Sequence, residues 1–386
     1  MARYHVLNVI TRLEQGGAPL ALLETVRRMD REEFAVTIAA GKTEDVDRNL
    51  DVSALNFDLP IIEVHTLRRS VHPVRDVVAL LHLVRIIRHG KFDLVHTHTS
   101  KAGILGRMAA AICGVPAIVH SSHGTILHGY FSPAVTRLFA MFEKAAATLS
   151  HRIICLTKQE IIQHLDAGIG KADQYTHIFN GIDLEAFEAR KGDRTELRRS
   201  LGYTPDDVVC VSVGRLVPVK GQSDLLNAFA EARVQNPELR LLLVGDGELR
   251  EELAKQAQAL KIADVVEFAG WREDVAELLD ACDLFVLTSL NEGLGLVLVE
   301  AMAKRLPVVA TAVGGVREVV EDGNTGRLAQ AGDSAAIASA IQEFSRDSDS
   351  RESMGQQGYA RAHAYFTIDK TVQQTESLYR NLLTKP

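Results

Sequence analysis

The sequence predicts an α/β protein of doubly wound parallel sheets, arranged in two domains. Three observations predict it. Short apolar runs such as Phe92–Thr97, Ala117–Ser121 and Arg152–Leu156 alternate with helical segments, the pattern of parallel strands buried on both faces. A length of 386 residues exceeds one ordinary core and suits two. Near the middle, the turn Asn180-Gly181-Ile182-Asp183 and the polar stretch Glu188–Thr195 break the alternation, as a domain end and a linker would.

The composition is that of an ordinary globular chain, 46% hydrophobic and 24% charged. Arg3–Ile10 is a short strand rather than a long apolar leader, and no apolar run approaches the ~20 residues that span a bilayer. Cys113, Cys155, Cys210 and Cys282 lack metal or disulfide spacing and read as reduced core thiols. A cytoplasmic protein is expected, with no cofactor and no nucleic-acid partner. The net charge of −7 is uneven: residues 1–180 carry 20 Lys and Arg against 17 Asp and Glu, the remainder 23 against 33. Thirteen of fourteen histidines lie in that first part, which fits two domains with different partners.

The first domain, residues 1–185, opens with a strand at 4–10 and a helix at about Pro19–Met29, with Pro in its first turn. Gly16-Gly17 between them looks like a phosphate or substrate loop but lacks the third glycine of a dinucleotide fingerprint. Strands at Phe34–Ala40 and Ile61–His65, a helix at about Pro73–His89 and the strand Phe92–Thr97 follow. His96-Thr97-His98-Thr99-Ser100-Lys101 opens the helix Ala102–Cys113, and the strand Ala117–Ser121 leads into Ser122-His123-Gly124. Helices at about Ser132–Leu149 and Lys158–Asp166 flank the strand Arg152–Leu156.

The second domain, residues 186–365, repeats the alternation, with strands at about Val208–Val213, Arg240–Val244, Val265–Phe268, Leu284–Leu287 and Val308–Ala310. Its most informative stretch is Thr288–Glu300. The buried strand before it ends in a loop carrying Glu292, Gly293 and Gly295, and a helix starts near Leu296 and contains Glu300. Loops at strand ends bind ligands in open α/β sheets, and a helix N-terminus attracts anions. A phosphate seat beside two carboxylates able to accept from sugar hydroxyls suits a nucleotide diphosphate sugar. The last helix, within 366–386, carries Tyr379, Leu382 and Leu383 and is expected to pack back on the first domain.

Further segments complete a pattern: Val213-Gly214-Arg215 with Lys220-Gly221, Val244-Gly245-Asp246-Gly247, Phe268-Ala269-Gly270, and Ala312-Val313-Gly314-Gly315-Val316-Arg317-Glu318. With Glu292 and Glu300 separated by seven intervening residues, Asn180-Gly181, Gly16-Gly17 and His123-Gly124, the chain resembles the retaining glycosyltransferases of family 4 over nearly its whole length. That resemblance implies the GT-B fold, two Rossmann-like domains facing across a cleft, the first binding acceptor and the second the nucleotide sugar. It implies that Arg215 and Lys220 hold the donor diphosphate, helped by the backbone of Leu296 and Val297, with Glu300 on the ribose and Glu292 at the sugar ring. His123 would meet the transferred sugar. Gly16, Gly17, Asn180, Gly214, Gly245, Trp271, Gly293 and Gly295 would complete the donor site. The expected reaction is sugar transfer with retention to a hydroxyl of a glycan or lipid-linked acceptor in polysaccharide or lipopolysaccharide synthesis, uridine being the default base.

Related enzymes that build on lipid carriers share a His-x-His-x-x-Lys stretch, so His98 and Lys101 are candidate acceptor ligands. Without a third ligand, His96 and His98 do not make a metal site. Asp45-Val46-Asp47 and Asp347-Ser348-Asp349 match a metal motif of another transferase fold but sit in polar segments and read as solvated loops. No metal is needed if Arg215, Lys220 and the helix N-terminus neutralise the leaving diphosphate. Residues 66–92 combine Arg68, Arg69, Arg75, Arg85, Arg88 and Lys91 with many aliphatics, as would a helix at the inner face of a membrane or an ordinary solvated one. Competing readings are a non-hydrolysing UDP-sugar epimerase of the same fold and a catalytically silent sugar-nucleotide-binding protein.

Overall fold

Apolar runs of four to eight residues, rich in Val, Ile and Leu, become parallel strands because both their faces find helices to bury against. The computed structural model describes residues 3–14, 16–41, 59–124 and 133–384. The chain forms two units, residues 1–181 with 368–386, and residues 182–367.

Unit 1 holds strands β1 (Tyr4–Ile10), β2 (Phe34–Gly41), β3 (Ile61–Val64), β4 (Leu94–His98), β5 (Ala117–Ser121), β6 (Arg152–Cys155) and β7 (Tyr175–His177). All are parallel, in the order β3-β2-β1-β4-β5-β6-β7. Successive residues of β1 face opposite ways. Val6 and Ile10 pack with Leu22 and Leu23 of α1 (Gly17–Arg28) and with Val372 and Tyr379 of the last helix, α15 (Ile368–Leu383). Leu7 and Val9 pack with Leu83 and Ile87 of α2 (Pro73–Gly90) and Ala102 and Ala109 of α3 (Ser100–Ile112). Two further helices, α4 (Pro133–Ala147) and α5 (Lys158–Asp166), complete the layers.

Helix α15 returns to unit 1 and buries Ile368, Val372, Leu378 and Tyr379 there, each worth about 1.5–3 kcal/mol of burial. Tyr379 meets Phe34 edge to face at 5.8 Å. Arg380 donates from Nε and Nη2 to Glu33, fastening the helix near the start of β2.

Unit 2 places β8 (Val208–Val213), β9 (Leu239–Val244), β10 (Val266–Gly270), β11 (Leu284–Leu287), β12 (Val308–Thr311) and β13 (Gly326–Ala329) in the order β10-β9-β8-β11-β12-β13. In chain order the helices are α6 (Leu184–Ala189), α7 (Arg194–Ser200), α8 (Gln222–Gln235), α9 (Arg250–Ala259), α10 (Val275–Leu279), α11 (Leu296–Ala303), α12 (Val316–Val319), α13 (Ser334–Arg346) and α14 (Ser348–Tyr365). One face of the sheet packs against Phe229 of α8 and Ile341 and Phe344 of α13.

The expectation of a linker at Glu188–Thr195 is corrected. This polar stretch is pinned to unit 2: Arg190 Nη2 donates to Glu273 O, Gly192 N to Asp280 Oδ2 at 2.8 Å, and Arg194 pairs with Asp283 at 2.6 Å. Its charges mark a network, not a solvated tether. The short strands β7 and β13 also escaped the sequence, because three or four residues with polar members give no apolar run.

Candidate active site

In each sheet the strand order reverses at one place, and ligands of such sheets bind outside the carboxyl ends of the strands there. In unit 2 the reversal lies between β8 and β11. Beyond β8 the chain passes Gly214 and Arg215, makes a 3-10 turn over Pro218–Lys220 and enters α8. Beyond β11 it passes Thr288, Ser289, Glu292 and Gly293 and enters α11 through Gly295. Gly221, at φ 66, lets the two loops touch: a Cβ there would lie 2.1 Å from Thr288 O. The hydroxyl of Thr288 closes the junction by donating to Gly221 O at 2.9 Å.

Lys220 and Glu292 meet at this junction. Lys220 Nζ donates to Glu292 Oε1 at 2.5 Å, and Ser289 Oγ donates to the same oxygen at 2.7 Å. The Glu292 loop is braced from below. Gly314, at φ 46, brings its Cα against Glu292 O, and Gly315 N donates to Gly293 O at 3.1 Å. Thr311 Oγ1 donates to Ser289 O. Arg215 is exposed, and its guanidinium has no partner among the described residues. Gly214 N donates to Val244 O and Gly245 N to Gly270 O, so the ends of β8, β9 and β10 are laced together.

Helix α11 begins at Leu296 and Val297 with no capping side chain, leaving amide N–H groups and the positive end of the dipole for an anion. One turn on, Glu300 is half-buried with no side-chain partner among the described residues, and burial pushes its carboxyl up to about 7. Trp271 follows β10, the edge strand, and is 57% exposed.

In unit 1 the reversal lies between β1 and β4. His96 and His98 end β4 and are both buried. His123 follows β5 at φ 56, with its ring 5.2 Å from that of His98. Burial, with neighbouring imidazoles adding repulsion, holds His98 well below the usual histidine range; burial alone takes His123 down to about 4. Neutral rings each offer one N–H and one lone pair, so the contacts form a directed chain. Asn8 Oδ1 accepts from His98 Nε2 at 3.0 Å, and His98 Nδ1 accepts from His123 Nε2 at 2.9 Å. His123 Nδ1 accepts from Asn180 Nδ2 at 3.4 Å. Alongside, Tyr379 of α15 donates to His96 Nδ1 at 2.6 Å, and His96 Nε2 donates to Ser121 Oγ at 2.8 Å. Burial lowers His96 to about 3.

The structure thus gathers His98, His123 and Asn180, and separately Lys220, Glu292 and Gly293. Two expected acceptor ligands are already engaged. His98 is buried with both nitrogens bonded, so an acceptor contact would displace Asn8 or His123. Lys101 Nζ pairs with Asp76 at 2.5 Å and donates to Ser70 O at 2.6 Å, holding the start of α2. Gly16 is extended and precedes α1, where Gly17 is the first residue. Asp347 caps α14 by accepting from Ser350 N, while Asp45-Val46-Asp47 lies outside the described residues. No group of three or more metal-ligating side chains occurs among the described residues. Asn8 and Tyr379 were missed as site residues; a carboxamide inside Val6-Leu7-Asn8-Val9-Ile10 was the one available signal.

Two doubly wound parallel sheets, each with one strand-order reversal, define the class as Rossmann-like α/β proteins. Family models then fix it: Glycosyltransferase Family 4 matches residues 15–186, and glycosyl transferases group 1 matches residues 193–361. A UDP-Gal:α-D-GlcNAc-diphosphoundecaprenol α-1,3-galactosyltransferase of Escherichia coli is 32% identical over 86% of this chain and 85% of its own. An N-acetyl-α-D-glucosaminyl L-malate synthase of Bacillus anthracis is 29% identical over 81% of each. The Anabaena protein HepE, solved with UDP and glucose, superposes with a TM-score of 0.83 at 26% identity, over 98% of this chain and all of its own. The chain belongs to glycosyltransferase family 4, is a glycosyltransferase, and has the GT-B fold class.

Proposed function

We propose that the chain transfers a hexosyl group from a UDP-sugar to a hydroxyl of a glycan or lipid-linked acceptor, with retention and without a metal. The observation that carries this reading is the convergence at the β8/β11 reversal of Lys220, Glu292, Arg215 and the uncapped start of α11. Arg215 and Lys220 are read as diphosphate ligands, and charge-assisted contacts of this kind contribute about 1.5–3 kcal/mol each. The amides of Leu296 and Val297 add to that seat, and together these groups neutralise the leaving group. Glu300, as the carboxylate, is read as accepting from both ribose hydroxyls, Glu292 as a ligand of the sugar ring, and His123 as steadying the transferred sugar. Gly214, Gly245, Gly293 and Gly295 are read as letting the donor approach the backbone. The UDP bound to HepE and the UDP-Gal in the Escherichia coli relative's name support uridine and a lipid diphosphate acceptor.

A membrane-surface location fits the same acceptor. Along α2, Val74 at 70% and Leu81 at 61% exposure precede exposed Arg85 and Arg88 on one stripe. Helix α4, two helices away in the same layer, exposes Met141 at 68%, with Leu138 and Phe142, beside Arg137 and Lys144. No helix among the described residues is long and apolar enough to cross a bilayer. Replacing Arg69, Arg85 and Arg88 by Ser is expected to weaken flotation with phosphatidylglycerol vesicles about 5-fold per residue at low salt. Equal flotation of both proteins removes the membrane reading.

The central test is UDP release from UDP-galactose with GlcNAc-diphosphoundecaprenol, with and without EDTA, and the anomeric configuration of the product by NMR. Acceptor-dependent, EDTA-insensitive release giving an α-linkage is expected. A changed sugar without acceptor identifies an epimerase, and binding without turnover a silent protein; an inverted product or loss with EDTA rejects the mechanism.

A further inference from the structure

Glu160 is a buried carboxylate for which the donor site has no use. It lies at the third position of α5, after Thr157, and Thr-x-x-Glu is the pattern of a capping box, in which the glutamate returns to the N–H of the cap. Thr157 does its part, with Oγ1 accepting from Glu160 N at 3.0 Å. The carboxylate goes elsewhere. Its Oε2 accepts from Leu156 N at 2.9 Å, while Oε1 accepts from Ser122 Oγ at 2.7 Å and from Gly124 N at 3.1 Å.

Ser122 and Gly124 are the two neighbours of His123. That histidine holds φ 56, a left-handed conformation that a β-substituted residue keeps only where its surroundings impose it. Glu160 supplies the imposition, tying the residues on both sides of His123 to the end of β6. His98 holds the ring and Glu160 the backbone. Glu160 is 4% exposed and has no cationic partner among the described residues, so as a purely structural element it is a poor choice. Burial pushes its carboxyl up, against the pull of the three donors.

We infer that Glu160 is a positioning residue for His123, its carboxylate clamping the turn Ser122-His123-Gly124 so that the imidazole stays on His98. The inference rests on the proposed role of His123 for its catalytic meaning, and on geometry alone for the clamp. Glu160→Gln keeps the size but sets an NH2 group against a donor, and Ser122→Ala removes one of the three bonds with little risk to folding.

The test uses the full chain labelled with 15N-histidine, with the His123 signal assigned by its loss in His123→Gln. In the wild type the ring is expected neutral, with Nε2 protonated, down to about pH 4. In Glu160→Gln its titration should move toward 6.5 and its tautomer signature should mix; Ser122→Ala should do the same to a smaller degree, with the surface histidine His65 unmoved in both. An unmoved His123 signal in Ser122→Ala and in folded Glu160→Gln overturns the clamp. A kinetic cycle with UDP-galactose and GlcNAc-diphosphoundecaprenol adds the functional half. The loss in Glu160→Gln, expected at about 10-fold in kcat with KM for the donor within 2-fold, should vanish in the His123→Ala background. Additive losses reject Glu160 as acting through His123. A fully active His123→Ala, together with a shifted NMR titration in Glu160→Gln, leaves the clamp standing and sinks the role of His123 instead.

Discussion

The strand-order reversal in unit 1, between β1 and β4, is bordered by His96 and His98, neutral and buried at the end of β4, with His123 half-buried beyond β5. The one in unit 2, between β8 and β11, is bordered by Lys220, Glu292 and Arg215, ions on loops beyond the strands. The architecture is the same, and the polar groups stand at different depths. At the end of a fully buried strand an imidazole survives only as a neutral donor–acceptor, so unit 1 builds a directed hydrogen-bond chain from Asn8 to Asn180. On the loops Arg215 stays exposed and Lys220 neutralises Glu292, so unit 2 concentrates charge. The lesson is that a doubly wound sheet fixes where a site lies, while the depth of each residue fixes whether it acts by charge or by shape.

The comparison breaks most visibly if the ions of unit 2 prove dispensable. Arg215→Ala with Lys220→Ala is expected to lower transfer by about 10³-fold or more, because each cation meets charge that grows as the diphosphate leaves. Initial rates at saturating donor check it; a loss below 10-fold contradicts the assignment. Next in size is His123→Ala. It should cost about 10²-fold in kcat yet leave UDP affinity within 3-fold, since UDP lacks the transferred hexose. A parallel loss of UDP binding would place His123 at the phosphates.

Glu300 sharpens the contrast through pH. Its carboxyl titrates at about 7 in the folded chain against 4.5 when free, so the native state holds the proton more tightly. Stability is therefore lost as pH rises from about 4.5 through 7, while the proposed ribose recognition by the carboxylate would be gained over the upper part of that range. Glu300→Gln should raise Tm at pH 8 by a few degrees, leave it unchanged at pH 4, and weaken UDP binding about 10-fold at pH 8. Calorimetric melts at both pH values decide, and a lower Tm at pH 8 is the contrary result. The smallest expected effect lies in unit 1. His96 and His123 titrate at about 3 and 4, below the ordinary 6.5, so the native form resists protonation and stability is lost as pH falls from 6.5 toward 4. Hydrogen exchange should show β4 and β5 losing protection before β8 and β11. The reverse order would show that the histidines stay solvated.

Much of this was legible in the chain. Apolar runs located β1, β4, β5, β8 and β11, and glycines with Arg215, Lys220, Glu292 and Glu300 pointed to the loops beyond β8 and β11, where the structure places them. The rest was hidden for physical reasons. Glu188–Thr195 looked like a tether because charge networks and solvated linkers share a composition. His98 and Lys101 looked free because sequence does not show Asn8 and Asp76, 90 and 25 positions earlier, reaching them. Tyr379 reaches His96 across 283 positions, and only the return of α15 reveals it.

The most direct test is a calorimetric titration of the full chain with UDP and with uridine. UDP should bind at least 100-fold more tightly, and the margin should shrink to under 10-fold in Arg215→Ala/Lys220→Ala, because diphosphate contacts of about 1.5–3 kcal/mol each make the difference. Equal affinities in the wild type, or a margin that survives the double substitution, would show that the β8/β11 reversal is not a diphosphate seat.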